Sequence, residues 1–357
     1  MLRIGVLYVK DGGRRPPLPS PDERAFTPVF DGLWGEGTLW RGRSHICWNV
    51  RAPCVAENMT DAPAHHSRPL DIAGMATAVA LCLCWGFNQP AIKLAIPDVP
   101  PLLQCAIRSA LATLIVAVWA QLRGVALTAR DGTLIPGLVC GLLFGIEFLL
   151  IYRGLLYTTA SRAVLFIYLA PFFVVIGARP FLPGDRFGVM QWLGLLLSFL
   201  GMVLAFGLPT PAADPRQLIG DLMMVAAALA WAATTLVIKA SALNRIASEK
   251  VLLYQIAVCV PVVGIGALIF GERIAAFPGP VALGSLTYQT LVVSFTFSAW
   301  FALIVRYSAS RLSAFTFLTP LFGVAAGHLV LGEPLTPAFA LAVALVAAGL
   351  ILVNRSR

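Results

Sequence analysis

Ten apolar stretches fill residues 72–353, each long enough to cross a hydrocarbon layer. A bilayer core about 30 Å thick needs roughly 20 helical residues at about 1.5 Å rise. Runs of that kind are predicted at about 72–94, 101–121, 133–157, 160–182, 188–206, 218–240, 251–270, 280–305, 312–331 and 337–353. None carries the alternating pattern of a barrel strand, so the expected fold is an all-α integral membrane bundle of ten transmembrane helices. Internal Gly and Pro residues do not argue against it, because neighbouring helices re-satisfy the backbone groups they free. The chain is only 12% charged, against about 25% for an ordinary soluble domain. Residues 1–71 alone hold 9 of the 26 Lys and Arg and 8 of the 17 Asp and Glu. The charges left over could not cover a water-facing surface. The lipid bilayer is the first expected partner.

The first 71 residues read differently. They have no sustained periodicity, carry clusters such as Gly12-Gly13-Arg14-Arg15-Pro16-Pro17, and lack the apolar core of a secretory signal. They are expected to be disordered, or an extension upstream of a true start at Met59. The remaining basic residues sort by side. With a cytoplasmic N-terminus, the inner loops carry Arg123, Arg130, Arg179, Arg186, Lys239, Arg245, Lys250, Arg306, Arg311, Arg355 and Arg357, and the outer connections carry only Lys93, Arg162, Arg216 and Arg273. That bias follows the positive-inside rule and puts both termini in the cytoplasm. It also explains the net charge of +9 without a nucleic-acid partner. The seven cysteines are odd in number and lie mostly in apolar runs, so helix packing is expected of them rather than disulfides or a metal site.

The chain repeats itself. Trp85-Gly86-Phe87-Asn88-Gln89-Pro90-Ala91-Ile92-Lys93 recurs, at an offset of 146, as Trp231-Ala232-Ala233-Thr234-Thr235-Leu236-Val237-Ile238-Lys239, sharing Trp, Ile and Lys. Ser161–Val175 recurs at an offset of 149 as Ser310–Val324, sharing Ser, Arg, Phe, Leu, Pro, Phe and Val. Each copy is followed by glycine and an acid, Gly184-Asp185 and Gly332-Glu333. The expected units are residues 72–207 and 217–353. Five spans per unit is an odd number, so the second copy starts on the opposite side of the membrane. The halves are then inverted repeats, an architecture of secondary transporters that exchange conformations between halves.

An ionisable group inside the bilayer costs at least about 2.5 kcal/mol and is a functional candidate by default. Glu147 leads. Gly137, Gly141 and Gly145 form a small-residue seam, and Glu147 stands about 200° round from Gly145. It is expected either to face a cavity, where it would bind a proton or a cationic group, or to pair with Arg108, whose depth differs by about 5 Å. Arg108 and Arg153 are candidate anion anchors, with ion pairing and snorkelling to the interface as the alternatives. Lys93 and Lys239 end their helices and are expected to snorkel. Asn88, Gln89, Thr234 and Thr235 hold matching positions in the two copies and are expected to line a cavity or to join helices. Pro90 is expected to break the first helix. Pro171 and Pro320 match in the repeat and lie mid-membrane, where proline bends a helix, as hinges or as static kinks. Trp85, Tyr168, Trp231, Trp300 and Phe317 could wall an apolar pocket or simply pack.

Residues 84–112, 157–206 and 307–336 carry the segments CWGFNQPAIKLAIPDVPPLLQCAIRSALA, YTTASRAVLFIYLAPFFVVIGARPFLPGDRFGVMQWLGLLLSFLGMVLAF and YSASRLSAFTFLTPLFGVAAGHLVLGEPLT. These resemble EamA domains of the drug/metabolite transporter superfamily, and the resemblance covers residues 72–353. One departure is visible: Leu331-Gly332-Glu333 follows the family's usual end of the fourth helix, whereas the first half has Arg179-Pro180-Phe181-Leu182-Pro183-Gly184-Asp185, so that helix should end early or kink. The resemblance implies export of small metabolites, amino acids or drugs across a bacterial inner membrane. The chain has no phosphate-cradling Gly-Lys-Ser/Thr loop, His-Glu-x-x-His pair or Gly-x-Ser-x-Gly elbow. No cofactor, metal or catalytic residue is expected, and transport would draw on a gradient, with protons as the coupling partner. Oligomeric state is left open. A membrane-embedded transferase, a channel and a non-transporting scaffold are the alternatives. If Met59 is the start, mass spectrometry of the native N-terminus will find no tryptic peptides from residues 1–50; their detection would refute it.

Overall fold

The computed structural model describes residues 70–182, 185, 187–207, 214–332, 335 and 337–355. Residues 1–69 of the N-terminal extension, Gly184, Arg186, Glu333 and Arg357 lie outside the described residues. Among the described residues twelve α-helices run in order: α1 Ile72–Ala95, α2 Pro101–Leu122, α3 Leu134–Gly154, α4 Ala160–Ile167, α5 Ala170–Phe181, α6 Val189–Phe206, α7 Pro215–Ala240, α8 Ser248–Ile269, α9 Pro280–Arg306, α10 Ala309–Phe315, α11 Leu318–Leu331 and α12 Pro337–Asn354. The pairs α4–α5 and α10–α11 each form one span, giving ten spans long and apolar enough to cross a membrane.

Local chemistry sets the breaks. Pro171 and Pro320 sit just inside α5 and α11. Each lacks an N–H, and its ring crowds the carbonyl four residues back, Ile167 or Thr316. The helix yields there, at Tyr168–Leu169 and at Thr316–Phe317, through tight turns such as Leu169 N–H donating to Phe166 O. Thr159 and Ser308 begin the fourth spans in the same way, accepting from the N–H of Arg162 and Arg311 respectively. Pro90 behaves otherwise. α1 runs through it to Ala95, so the expected break at Pro90 does not occur. The residues that follow it re-form the helix within a turn, as membrane helices allow. The first fourth span stops at Phe181 and leaves the helix at Leu182 (φ −126°, ψ 81°), without the left-handed glycine, Gly332 at φ 71°, that closes α11.

Helices α1–α6 make the first repeat and α7–α12 the second, and their strongest packing crosses between repeats. α3 lies on α7 as α9 lies on α1; α5 lies on α7 as α11 lies on α1; α3 meets α8 as α9 meets α2. α2 with α8, and α6 with α12, are their own counterparts. This is the contact pattern of a two-fold axis in the membrane plane, and it makes the fold two inverted five-helix repeats. The outward faces carry large apolar residues such as Leu114, Ile135, Val189, Ile265 and Leu268, all more than half exposed, as lipid contact requires.

Glycines permit the close crossings. A Cβ on Gly141 would fall 2.5 Å from Tyr254 O and 2.6 Å from Val258 Cβ, and one on Gly145 2.8 Å from Val262 Cβ. Gly137 meets the Tyr254 ring in the same way, so the seam predicted on α3 seats α8. A backbone oxygen cannot move aside as a flexible side chain can. In the loop before α3, Lys250 Nζ donates to Asp131 Oδ2 at 2.8 Å. This bond, with the Thr133 hydroxyl, pulls the Asp131 carboxyl down to about 2. The depressed value means that this contact is fully present above the ordinary carboxylate range and is lost as pH falls through about 2.

Gly141→Ala is expected to destabilise the bundle by about 1–3 kcal/mol, lowering the melting temperature and monodisperse yield in detergent. Gly284→Ala, on α9 with open space around it, is expected to leave both unchanged.

Candidate functional site

A small cavity lies between the repeats, walled by Ala170, Pro171 and Val174 of the first and by residues of α7, α9 and α10 of the second. Trp231, Thr235, Trp300, Ser313 and Thr316 line it. Its volume is about 10 Å³, space for one water molecule. The proline break of the fourth span therefore opens directly onto it.

Aromatic side chains extend from this cavity in two directions. Trp300 stacks edge-on against Trp85 at 5.1 Å, Trp85 lies 5.3 Å from Phe297, and Phe297 lies 5.9 Å from Phe144. Trp85 Nε1 donates to Thr296 Oγ1 at 2.8 Å, which satisfies its one polar group. On the other side Tyr168 stands 5.8 Å from Trp231 and 6.3 Å from Phe317. Trp85, Trp231, Trp300, Tyr168 and Phe317 thus come together around one centre, as do Thr235 and Pro171. The cavity's hydroxyls are turned toward helix carbonyls: Thr235 donates to Trp231 O, Ser313 to Ser310 O and Thr316 to Ser313 O. Their lone pairs remain for a ligand, and among the described residues no charged one lines the cavity.

Glu147 and Arg108 do not line it, and they form no ion pair with each other. Glu147 is buried on α3, and no hydrogen bond or ion pair to it is made among the described residues. Arg108 is 3% exposed. Its guanidinium lies 4.7 Å above the Phe148 ring and its Nη2 reaches Cys105 Sγ at 3.6 Å, while Nε has no hydrogen-bond acceptor. The Arg108–Glu147 ion pair anticipated from depth is not formed. Phe148 packs on Phe144 at 4.9 Å, so a file of rings links Arg108 to the aromatic centre.

Other candidates lie elsewhere. Arg153 stacks on Phe270 at 3.7 Å, at the end of α3 and away from the centre. Lys239 Nζ donates to the carbonyls of Ile304, Val305 and Tyr307, each at 2.8 Å, and so caps the end of α9. Lys93 is exposed. Thr234 faces α3, its carbonyl accepting from Cys140 Sγ. Asn88 is half-buried with Oδ1 unsatisfied, and Gln89 is exposed. Pro320 is buried at the α10–α11 break.

Several polar residues give little sign of their role in the sequence. Asp221, nearly two turns into α7, accepts two bonds from Arg162 and one from Thr158. Gln289 donates to Gln104, both wholly buried. Gln255 on α8 is 1% exposed with neither amide atom partnered. An acid inside the predicted sixth span is the available signal for Asp221; uncharged Gln104, Gln255 and Gln289 give a weaker one.

Residues 72–207 and 218–355 each match the EamA-like transporter family. Two similar proteins come from Bacillus subtilis (strain 168). The uncharacterized transporter YoaV is 23% identical over 77% of this chain and 94% of its own. The uncharacterized transporter YvbV is 26% identical over 77% of this chain and 89% of its own. A solved crystal structure at 22% identity superposes with a TM-score of 0.66 over 78% of this chain and 96% of that one, a likeness of fold. With both halves matched in tandem over most of its length, the chain belongs to the EamA-like transporter family.

Proposed function

We propose that this protein is a secondary transporter that exports a small metabolite, amino acid or drug across a bacterial inner membrane by alternating access, with both termini in the cytoplasm. One observation carries the reading: the cavity lies where the two inverted repeats meet, against the Pro171 break. A cavity bounded by both halves opens to one side or the other when the halves rock. Its indole walls and free hydroxyl lone pairs suit a ligand with an apolar or cationic body and a few hydrogen-bonding groups. The small free volume fits a conformation in which the two repeats have closed on the site.

Glu147 and Arg108 supply the coupling. A buried carboxyl without a basic partner is suited to take a proton or a substrate cation, and a buried guanidinium without a carboxylate is suited to an anionic group. Pro171 and Pro320 act as matched hinges at the two breaks.

The substrate is sought first by untargeted metabolite comparison of overexpressing and deleted strains. With it in hand, flux of the labelled compound is measured in proteoliposomes with and without a pH gradient. Trp231→Ala is expected to cut flux roughly three- to tenfold through loss of the ring contact. Glu147→Gln is expected to abolish the response to the pH gradient. Unchanged, pH-responsive flux in Glu147→Gln would remove Glu147 from coupling, and no net flux of any compound that accumulates would remove the transport reading.

A further inference from the structure

Two polar clusters at opposite ends of the bundle hold positions that the internal repeat makes equivalent. At the end where α1 begins, Tyr307 Oη donates to Asp71 Oδ1 at 2.8 Å. Gly74 lies beneath the Tyr307 ring so closely that a Cβ there would fall 2.8 Å from Cε2. At the end where α7 begins, Thr158 Oγ1 donates to Asp221 Oδ1 at 2.6 Å. Gly220 lies beneath Thr158, and a Cβ there would fall 2.8 Å from Thr158 N and 2.9 Å from Gly154 O.

The offsets match throughout. Gly74 and Gly220 differ by 146, the offset of the Trp85 and Trp231 segments; Thr158 and Tyr307 differ by 149, the offset of the Pro171 and Pro320 segments. In both clusters the first span of one repeat is tied to the corner between the third and fourth spans of the other. The carboxylates come from different places, Asp71 being the N-cap of α1 and Asp221 lying within α7. The same contact has thus been rebuilt with different residues on the two sides. Each cluster has a second tie. Arg162 donates from Nε to Asp221 Oδ1 at 3.1 Å, and from Nη2 to Oδ2. On the other face Asp185, from the first repeat, accepts from Ser308 Oγ at 2.6 Å and from Ser310 N at 3.2 Å, holding the start of α10.

The cavity lies between these clusters. Asp221 precedes Trp231 on α7 by about 15 Å of helix rise, and Tyr307 follows the cavity residue Ile304 by one turn of α9. We infer that the Tyr307–Asp71 and Thr158–Asp221–Arg162 clusters are a matched pair of latches, one sealing each end of the path to the cavity, which open in turn. The inference rests on the alternating-access reading. Both latches are closed here, which agrees with the cavity's small volume. A hydroxyl or guanidinium bonded to a carboxylate is a charge-assisted contact that can be broken and remade without unfolding a helix. The glycines bring the backbones close enough for such short side chains to reach.

The test uses the full chain with Thr235→Cys as a cavity reporter, labelled by a membrane-impermeant thiol reagent in right-side-out and inside-out vesicles. The chain with Thr235 intact gives the background from native cysteines. Asp221→Asn is expected to raise labelling from one face about tenfold, and Tyr307→Phe to raise it about tenfold from the other. Thr158→Val and Asp71→Asn, milder changes at the same contacts, should shift labelling in the same two directions and serve if the first pair fails to fold. Shifts toward the same face, or face ratios equal to that of the reporter alone, would overturn the latches. Alternating access would still stand in that case, provided that the reporter alone labels from both faces. Labelling from a single face in every variant would overturn alternating access, and the latches with it.

Discussion

Each helix of this bundle finds its principal neighbour in the other repeat, and bare backbone makes that contact possible. Gly137, Gly141 and Gly145 let α3 settle on α8, and Gly194 and Gly349 let α6 meet α12 backbone to backbone. In lipid no hydrophobic force drives helices together, so close packing over small residues has to supply the association. The seams run between repeats, so each half packs mainly on the other. The central cavity exists because the two halves share one interior surface. It lies on that surface, against the proline breaks, and it inherits whatever motion the halves make.

The same duplication shapes the electrostatics. Charges placed in matching positions have taken different tasks. Lys239 closes the end of α9 by donating to three carbonyls, whereas its partner Lys93 is exposed. Position 147 holds a glutamate and its counterpart, Thr296, holds the indole of Trp85. Two buried ionisable groups, Glu147 and Arg108, form no ion pair with each other. A pair would have been cheaper for folding in a low-dielectric interior.

The spans, the inverted repeat and the fourth-span breaks are all legible in the amino-acid sequence, because length, hydropathy and matched prolines are one-dimensional signals. Depth can be read in the same way, and it places Arg108 and Glu147 within about 5 Å of each other. Azimuth cannot be read, and azimuth separates them: Arg108 turns to Phe148 and Cys105. Arg153 shows the same limit, since its position on α3 suits a core role and its ring partner, Phe270, lies at the helix end. Proline effects are legible only in part. Pro171 and Pro320 break their helices, while Pro90 is absorbed within α1, and the difference lies in the neighbours rather than in the residue itself. Asp221 is hard to single out because its partner Arg162 lies 59 positions away. The aromatic centre is legible as a group of residue types, but its assembly from five spans is a product of tertiary packing.

The central claim is that two inverted halves exchange roles, and distances across the two ends test it most directly. Spin labels at Arg306 and Ile72 report on one end, and labels at Tyr157 and Leu218 occupy the equivalent positions at the other. Pulsed dipolar measurement on both pairs in liposomes, with and without the transported compound, should find opposite changes: one pair shortens as the other lengthens. Two distances that stay fixed, or that lengthen together, would contradict alternation between the halves.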